Sequence, residues 1–388
     1  MSIYANVDHF RSIETPFYYY DIALLQKTIR RAQEALGKGP YQIHYAFKAN
    51  SNRRILNEVL SFGLGADCVS GNEVNRAIEA GFDPNHILFA GVGKTDKEIK
   101  VGLEHEIFAF NVESLQELKV LEQLSGITGK KIRFALRINP NVDAGTHEYI
   151  TTGKRDNKFG ITLEELNLAI PLIKSLEYAE FIGIHFHIGS QIMDLSKFKE
   201  LVNRCNEVQR LLLDYSFELP HINVGGGLGI DYDQPEANSI ANFKGYFDCF
   251  KKNLVLLPNQ TLHFELGRSL VAQCGSLIAR VLYIKPAEQT SFMILDAGMT
   301  ELIRPALYRS FHFIENLSSH ESHEGSVVYD VVGPICETSD AFARGLLLPE
   351  TKRGDMLAIR SAGAYGEVMA SQYNLRKVAP SIFSDDFK

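Results

Sequence analysis

Lys48 closes an apolar run, His44-Tyr45-Ala46-Phe47-Lys48, and Ala49-Asn50-Ser51-Asn52 break the pattern before a helical stretch. An amine at the mouth of an apolar strand is costly unless something uses it. Burial there disfavours the ammonium form and makes the amine a nucleophile for a carbonyl. Taken alone, the stretch also reads as a strand followed by its first solvated residue. What recurs downstream favours the chemical reading. Gly225-Gly226-Gly227-Leu228-Gly229 follows the apolar HINV, and glycines there let backbone N–H groups approach an anion closely. The stretch lacks the P-loop spacing and does not match G-x-G-x-x-G, so by itself it is equally a tight strand-to-helix turn. Glu265-Leu266-Gly267-Arg268 ends a third apolar run with a carboxylate and a guanidinium, and His187-Ile188-Gly189-Ser190 ends a fourth. A lysine able to form a Schiff base, an anion cradle and a carboxylate able to pair with a protonated pyridine nitrogen together describe pyridoxal phosphate. Glu265 would keep that nitrogen protonated, and His187 would stack on the ring. His185 lies on the same face of a regular strand and stays open as the alternative.

These residues need elements to position them. Apolar runs at 43–48, 65–70, 87–91, 107–112, 132–138, 181–188, 221–225 and 261–266 read as strands. Runs such as 72–81 and 113–124 between them carry helical spacing and end near glycine. Eight strands alternating with helices predict a closed parallel (β/α)8 barrel of the TIM type. In such a barrel the C-terminal strand ends form the site, which is where Lys48, Asp67, Arg137, His187, the glycine triplet and Glu265 fall. After about residue 270 the texture changes to strand-like pieces at 276–284, 291–295, 326–332 and 356–360 without long helices. This predicts a second, mostly β domain of sandwich or Greek-key-barrel type. The aromatic run at 16–20 is expected to join it, so that it is built from both chain ends. The expected division is 25–270 for the barrel and 1–24 plus 271–388 for the β domain.

Three further stretches of the second domain could carry chemistry. Gly333-Pro334-Ile335-Cys336-Glu337 sets a thiol beside a carboxylate in a turn-rich segment, although a buried cysteine next to a surface carboxylate is the plainer reading. Gly363-Ala364-Tyr365-Gly366 presents a phenol between glycines, and Arg304-Pro305-Ala306-Leu307-Tyr308 offers a guanidinium and another phenol. The polar segment 313–325 reads as a loop. Its His320 and His323 are expected to be solvated rather than metal ligands, and no metal site is expected.

With 388 residues, 45% hydrophobic and 22% charged, the chain has material for two domains and a large core. A net charge of −7 advertises no face for nucleic acid or an anionic membrane. No stretch approaches the roughly 18 to 20 apolar residues of a membrane span, and Met1 to Thr15 do not resemble a signal peptide. Five cysteines with no C-x-x-C pair suggest neither a disulfide framework nor a zinc site, and so a reducing, cytoplasmic location.

The combination of motifs resembles the diaminopimelate decarboxylase family. YAFKAN at 45–50, HIGSQ at 187–191, GGGLGIDY at 225–232, ELGRS at 265–269, RPALY at 304–308, GPICETSD at 333–340 and GAYGEVMASQYN at 363–374 run in the family's order. That family belongs to the fold type III pyridoxal-phosphate enzymes, with ornithine decarboxylase and alanine racemase. The resemblance implies decarboxylation of meso-2,6-diaminopimelate to L-lysine and CO2, the last step of lysine biosynthesis. It implies that Lys48 carries the cofactor, that His187 stacks on it and that Glu265 binds its pyridine nitrogen. Ser190, Gly225, Gly226, Gly227, Gly267, Arg268 and Tyr365 would be further cofactor contacts. Arg268, Arg304, Tyr308, Glu337 and Tyr365 match the family's substrate contacts, and Cys336 its proton donor. In the family the last cysteine and glutamate come from a partner subunit, which implies a homodimer with shared active sites. One departure is Leu266, where the family usually has proline; proline would fix the turn. The alternatives are a decarboxylase acting on ornithine, arginine or carboxynorspermidine, and a non-catalytic cofactor-binding protein on the same scaffold. The polar segment 141–158 is a candidate lid by length and composition.

Overall fold

The computed structural model describes residues 3–143, 158–288, 290–318 and 325–387. The candidate lid lies outside the described residues for 144–157, and so do His320 and His323. The chain divides into two compact units. One comprises Ile29–Gly229 and Asn242–Gly267, and the other Met1–Thr28, Ile230–Ala241 and Arg268–Lys388.

Strand β1 (Phe17–Tyr20) belongs to the second unit. The first unit is a closed, all-parallel barrel of eight strands: β2 (Tyr41–Ala46), β3 (Gly65–Cys68), β4 (Ile87–Phe89), β5 (Ala109–Val112), β6 (Ile132–Arg137), β7 (Ala179–His185), β8 (His221–Asn223) and β9 (Thr261–Leu266). It closes where β2 pairs with β9, with His44 opposite Glu265. Most strand residues are buried, as the near-continuous apolar runs require of strands covered on both faces. The intervening helices start at side chains made for that task. Asn52, Ser70, Thr95, Ser114 and Thr162 each accept a first-turn backbone N–H. The helix Phe243–Asn253 lays Tyr246, Phe247 and Phe250 against Phe264 of β9, with ring centroids 5.7, 4.9 and 5.4 Å apart. These contacts hold the strand that carries Glu265.

Two residues before Glu265 on the same strand, His263 continues a chain of imidazoles. Its Nδ1 lies 2.9 Å from His44 Nε2 and its Nε2 lies 3.0 Å from His221 Nδ1. Burial pushes His44 and His221 down to about 4, so this polar layer is neutral near pH 7.

The second unit is mostly β. Its strands after β1 are β10 (Gly275–Lys285), β11 (Ser291–Leu295), β12 (Ile314–Asn316), β13 (Ser326–Val332), β14 (Ala341–Pro349), β15 (Met356–Ile359) and β16 (Ser381–Phe383). They order as β12-β15-β10-β11-β13-β14, with β1 antiparallel to β10 and parallel to β16. The aromatic N-terminal run therefore pairs with strands from the other chain end. Phe10 packs on Phe17 and Tyr19 at 5.5 and 4.9 Å beside Ile278 and Met356, one core of this unit. One expectation needs correcting. The segment 313–325 is not all loop, because 314–316 pairs with β15. Strands β14 and β16 carried no expectation. Among the described residues, no helix is long and apolar enough to cross a membrane.

Candidate active site

The barrel unit brings Lys48, Asp67, His185, His187, the glycine triplet and Glu265 to the C-terminal strand ends. Lys48 does not end its strand. Strand β2 stops at Ala46 and Lys48 sits in a single 3-10 turn, Phe47–Ala49. Nor is its side chain buried, since it remains 36% exposed. The expectation of an amine activated by burial is therefore corrected: this amine is reachable from solvent, beside a carboxylate. Its Nζ lies 3.4 Å from Asp67 Oδ2. Gly267 packs against this turn, where an added Cβ would meet Ala49 and Ala46 at 3.0 and 3.1 Å. The end of β9 and the lysine turn are thus set against each other.

Glu265 is buried at the end of β9 and has three side-chain donors. Asn111 Nδ2 (3.1 Å) and Asn223 Nδ2 (2.7 Å) donate to Oε1, and His185 Nε2 lies 3.1 Å from Oε2. Burial opposes its charge, but His185 and the more distant Lys48 outweigh burial and hold the carboxyl well below the usual range. Asp67 has the opposite fate. Burial and then the Glu265 charge push it up to about 7 against the pull of Lys48. Its buried Oδ1 has no hydrogen-bond partner among the described residues. Two carboxylates in one barrel mouth are thus set to different protonation tendencies by their surroundings.

The two histidines left open by the sequence have different partners. His185 ends β7 and faces Glu265, whereas His187, two residues on and half-buried, accepts the Gly226 N–H at Nδ1 (3.3 Å). Burial, with Lys48 and Arg137 nearby, pushes the His187 imidazole well down, so it is neutral. The glycine loop has backbone reasons for its composition. Gly225 and Gly227 have φ of +68° and +105°, and a Cβ on Gly226 would overlap the Glu265 carbonyl oxygen. The Ile192 N–H donates to the Gly227 carbonyl (2.9 Å) and the Gly229 N–H to the Ile192 carbonyl (3.0 Å). These bonds zip the Ser190 loop onto the glycine loop. Arg137 is engaged elsewhere at the mouth, in a buried pair with Glu113 at 2.6 Å.

The β unit gathers the remaining positions. Arg268 and Arg304 are both buried, and each donates through one terminal nitrogen to Tyr232 Oη at 2.7 Å. The Arg268 guanidinium lies 4.8 Å from the centre of the Tyr365 ring. Tyr365 has a φ of +57°, unusual for a bulky residue. Tyr308 ends the short helix that begins with Arg304. Cys336 is exposed, so the plainer reading of a buried thiol does not hold. Its loop is held from beneath by Asp340, whose carboxylate accepts the Ile335 N–H (2.7 Å) and the Met299 N–H (2.6 Å). Tyr373 Oη donates to Glu337 Oε1 at 2.9 Å. Leu266 is buried as the last residue of β9. Asn111, Asn223, Tyr232 and Tyr373 were missed as site residues. An asparagine inside the buried runs AFNV and HINV was the available signal for the first two. The two phenols lie inside the motifs GGGLGIDY and GAYGEVMASQYN, but no pattern there distinguishes them as site residues.

The residues present fit pyridoxal phosphate. The amine is accessible, the Glu265 carboxylate is held ionised, and the Asp67 carboxylate beside the amine keeps a buried oxygen, Oδ1, with no partner among the described residues. The comparisons with known proteins agree. Residues 22–272 match the family described as pyridoxal-dependent decarboxylase, pyridoxal binding domain. A diaminopimelate decarboxylase of Bacteroides thetaiotaomicron is 52% identical over 98% of this chain and 98% of its own length. That similarity decides the family. The chain belongs to the diaminopimelate decarboxylases. A member from Helicobacter pylori strain J99 is 41% identical over 98% of this chain and 92% of that protein. The crystal structure of a Helicobacter pylori diaminopimelate decarboxylase complexed with L-lysine superposes with a TM-score of 0.91 at 39% identity, covering 98% and 94% of the two chains. A lysine/ornithine decarboxylase from Vibrio vulnificus, at 21% identity and a TM-score of 0.84, shares the fold.

Proposed function

We propose that the chain decarboxylates meso-2,6-diaminopimelate to L-lysine and CO2 using pyridoxal 5'-phosphate, as the last step of lysine biosynthesis. The observation that carries this reading is the buried arginine pair that meets at Tyr232. A substrate with a purely basic tail has no use for two guanidiniums, whereas a second carboxylate does. Lys48 would hold the cofactor covalently, and Glu265 and His187 would face its ring. Ser190, the glycines at 225–227, Gly267, Arg268 and Tyr365 would hold the rest of it. When bound, the cofactor supplies an electron sink for the carbon that loses CO2.

The chain's own residues do the remainder. Glu265, kept ionised by His185 with Asn111 and Asn223 donating to it, holds a proton on the group it faces. Neutral His187 offers a flat face without adding positive charge. Asp67, 3.4 Å from the Lys48 amine, would take up or return a proton at that nitrogen. Arg268 and Arg304 read the far carboxylate, Glu337 takes the far ammonium, and Tyr308 and Tyr365 line the substrate. Cys336 returns a proton to the carbon after CO2 leaves. We further propose that Cys336 and Glu337 act in the site of a second copy, in a cytoplasmic homodimer; the exposure of the thiol favours this.

The test is an assay of CO2 and L-lysine release by purified protein with added cofactor and meso-diaminopimelate. Turnover that is lost in Arg304→Ala at low substrate and recovered at high substrate is the expected result. Arg304→Ala leaving KM and substrate choice unchanged would defeat the arginine reading.

A further inference from the structure

The phenol between the two arginines has no role in the reading above. Tyr232 is buried, in the segment that follows the glycine loop. Its oxygen accepts from Arg268 Nη1 and Arg304 Nη1, both at 2.7 Å, so the two donor nitrogens lie within twice that distance of each other. Its ring also lies under the Arg304 guanidinium, 5.2 Å from centroid to Cζ. On another side it meets His312 edge-on at 5.1 Å. His312 Nδ1 lies 2.8 Å from the Arg360 carbonyl oxygen and so donates to it. That leaves Nε2 as an acceptor, 3.2 Å from Arg304. Burial holds the His312 ring neutral. The Arg304 Nε is buried and has no hydrogen-bond partner among the described residues. Part of this guanidinium is therefore still a donor in search of an acceptor.

Two buried guanidiniums this close repel each other. A shared oxygen acceptor is what lets them converge. A phenol has two lone pairs, and both are taken here. Burial opposes loss of its proton, but the two guanidiniums outweigh burial and lower its pKa. The Tyr232 oxygen then stands between two cations as their common acceptor.

We propose that Tyr232 is a positioning residue that holds Arg268 and Arg304 as one carboxylate-reading pair and so sets selectivity for substrates with a distal carboxylate. This rests on the decarboxylase reading given above. Remove the oxygen and the cations separate; a carboxylate then meets one guanidinium at a time and loses a charge-assisted contact.

The test compares two ligands of the cofactor-loaded enzyme by calorimetry. L-lysine retains the distal carboxylate, and 1,5-diaminopentane lacks it. Tyr232→Phe keeps the ring over Arg304 and deletes only the oxygen. L-lysine affinity is expected to fall about tenfold or more, ~1.4 kcal/mol per factor of ten, while that of 1,5-diaminopentane changes less than twofold and the cofactor absorbance is unchanged. L-lysine affinity that does not change, or an equal loss for both ligands, overturns the proposal, since general damage weakens both alike. Should the variant not fold, the wild-type enzyme still decides. One tyrosine, facing Arg268, Arg304 and neutral His312, should ionise early in an ultraviolet titration, and saturating L-lysine should shift that step upward by adding a competing anion. A step that L-lysine does not move overturns the proposal. Failure of the decarboxylase reading looks different: wild-type protein would then release no L-lysine from diaminopimelate, whatever Tyr232→Phe does.

Discussion

Glu265 lies inside a closed barrel and stays ionised because three side chains aim donors or positive charge at it. Glu265→Gln removes the charge and forces an amide N–H against one of those donors. The expected result is a fall in kcat of about a hundredfold or more, measured as CO2 release; activity within threefold of wild type would contradict the role given to this carboxylate. Lys48→Ala should remove both turnover and the visible absorbance of lysine-bound cofactor, and persistence of either would contradict its assignment. Asp67 makes a prediction about pH. Its folded pKa, raised to about 7, lies above its unfolded value near 3.8, so the folded state binds the extra proton between them. Its contribution to stability is present below about pH 4 and is lost as pH rises through about 7. In the cofactor-free protein, Asp67→Asn should therefore raise the melting temperature at pH 8 more than at pH 5; the opposite order would show that the carboxylate is not buried with a raised pKa. At this scale the sequence is informative where chemistry interrupts an apolar run, as Lys48 and Glu265 do. Asn111 and Asn223 interrupt runs too, but their meaning depends on which strand faces meet inside the barrel, and that is a property of closure.

Elements place these residues through backbone contacts. The glycine loop fits beside β9 only without side chains, because a Cβ on Gly226 would overlap the Glu265 carbonyl oxygen. Gly226→Ala should lower stability by about 1–3 kcal/mol in a denaturant titration and weaken cofactor retention along with it; a neutral effect on both would mean the loop can move away at no cost. All eight barrel strands were legible because strands buried on both faces read as unbroken apolar runs. The β unit was harder. Strand β14 is half exposed, contains Arg344 and Gly345, and has a φ of +62° at that glycine, so its alternation is interrupted. Strands β12 and β16 span three residues each, too short for a pattern to register. The position of Lys48 just past its strand was missed for a related reason. A 3-10 turn after a strand continues the same apolar run, and only the hydrogen bonds mark where the ladder stops.

For the whole molecule, sequence order had to stand in for proximity. The segments 45–50, 187–191, 225–229 and 265–267 converge in the barrel, as strand order predicts. The meeting of Tyr232 with Arg268 and Arg304 joins positions far apart in the chain, and only the folded β unit puts them together. The proposed dimer makes a prediction at this scale. If Lys48 and Cys336 serve one site from different subunits, co-expressed Lys48→Ala and Cys336→Ala chains should recover about a quarter of wild-type activity through mixed dimers with one intact site, although each variant alone is inactive. No recovery on mixing would place both residues in the same subunit's site. Purified protein with pyridoxal phosphate should be given meso-diaminopimelate, ornithine, arginine and carboxynorspermidine in parallel, with products identified by mass. L-lysine and CO2 from diaminopimelate, with no comparable turnover of the others, is the expected result; preferential decarboxylation of a substrate without a distal carboxylate would overturn the assignment.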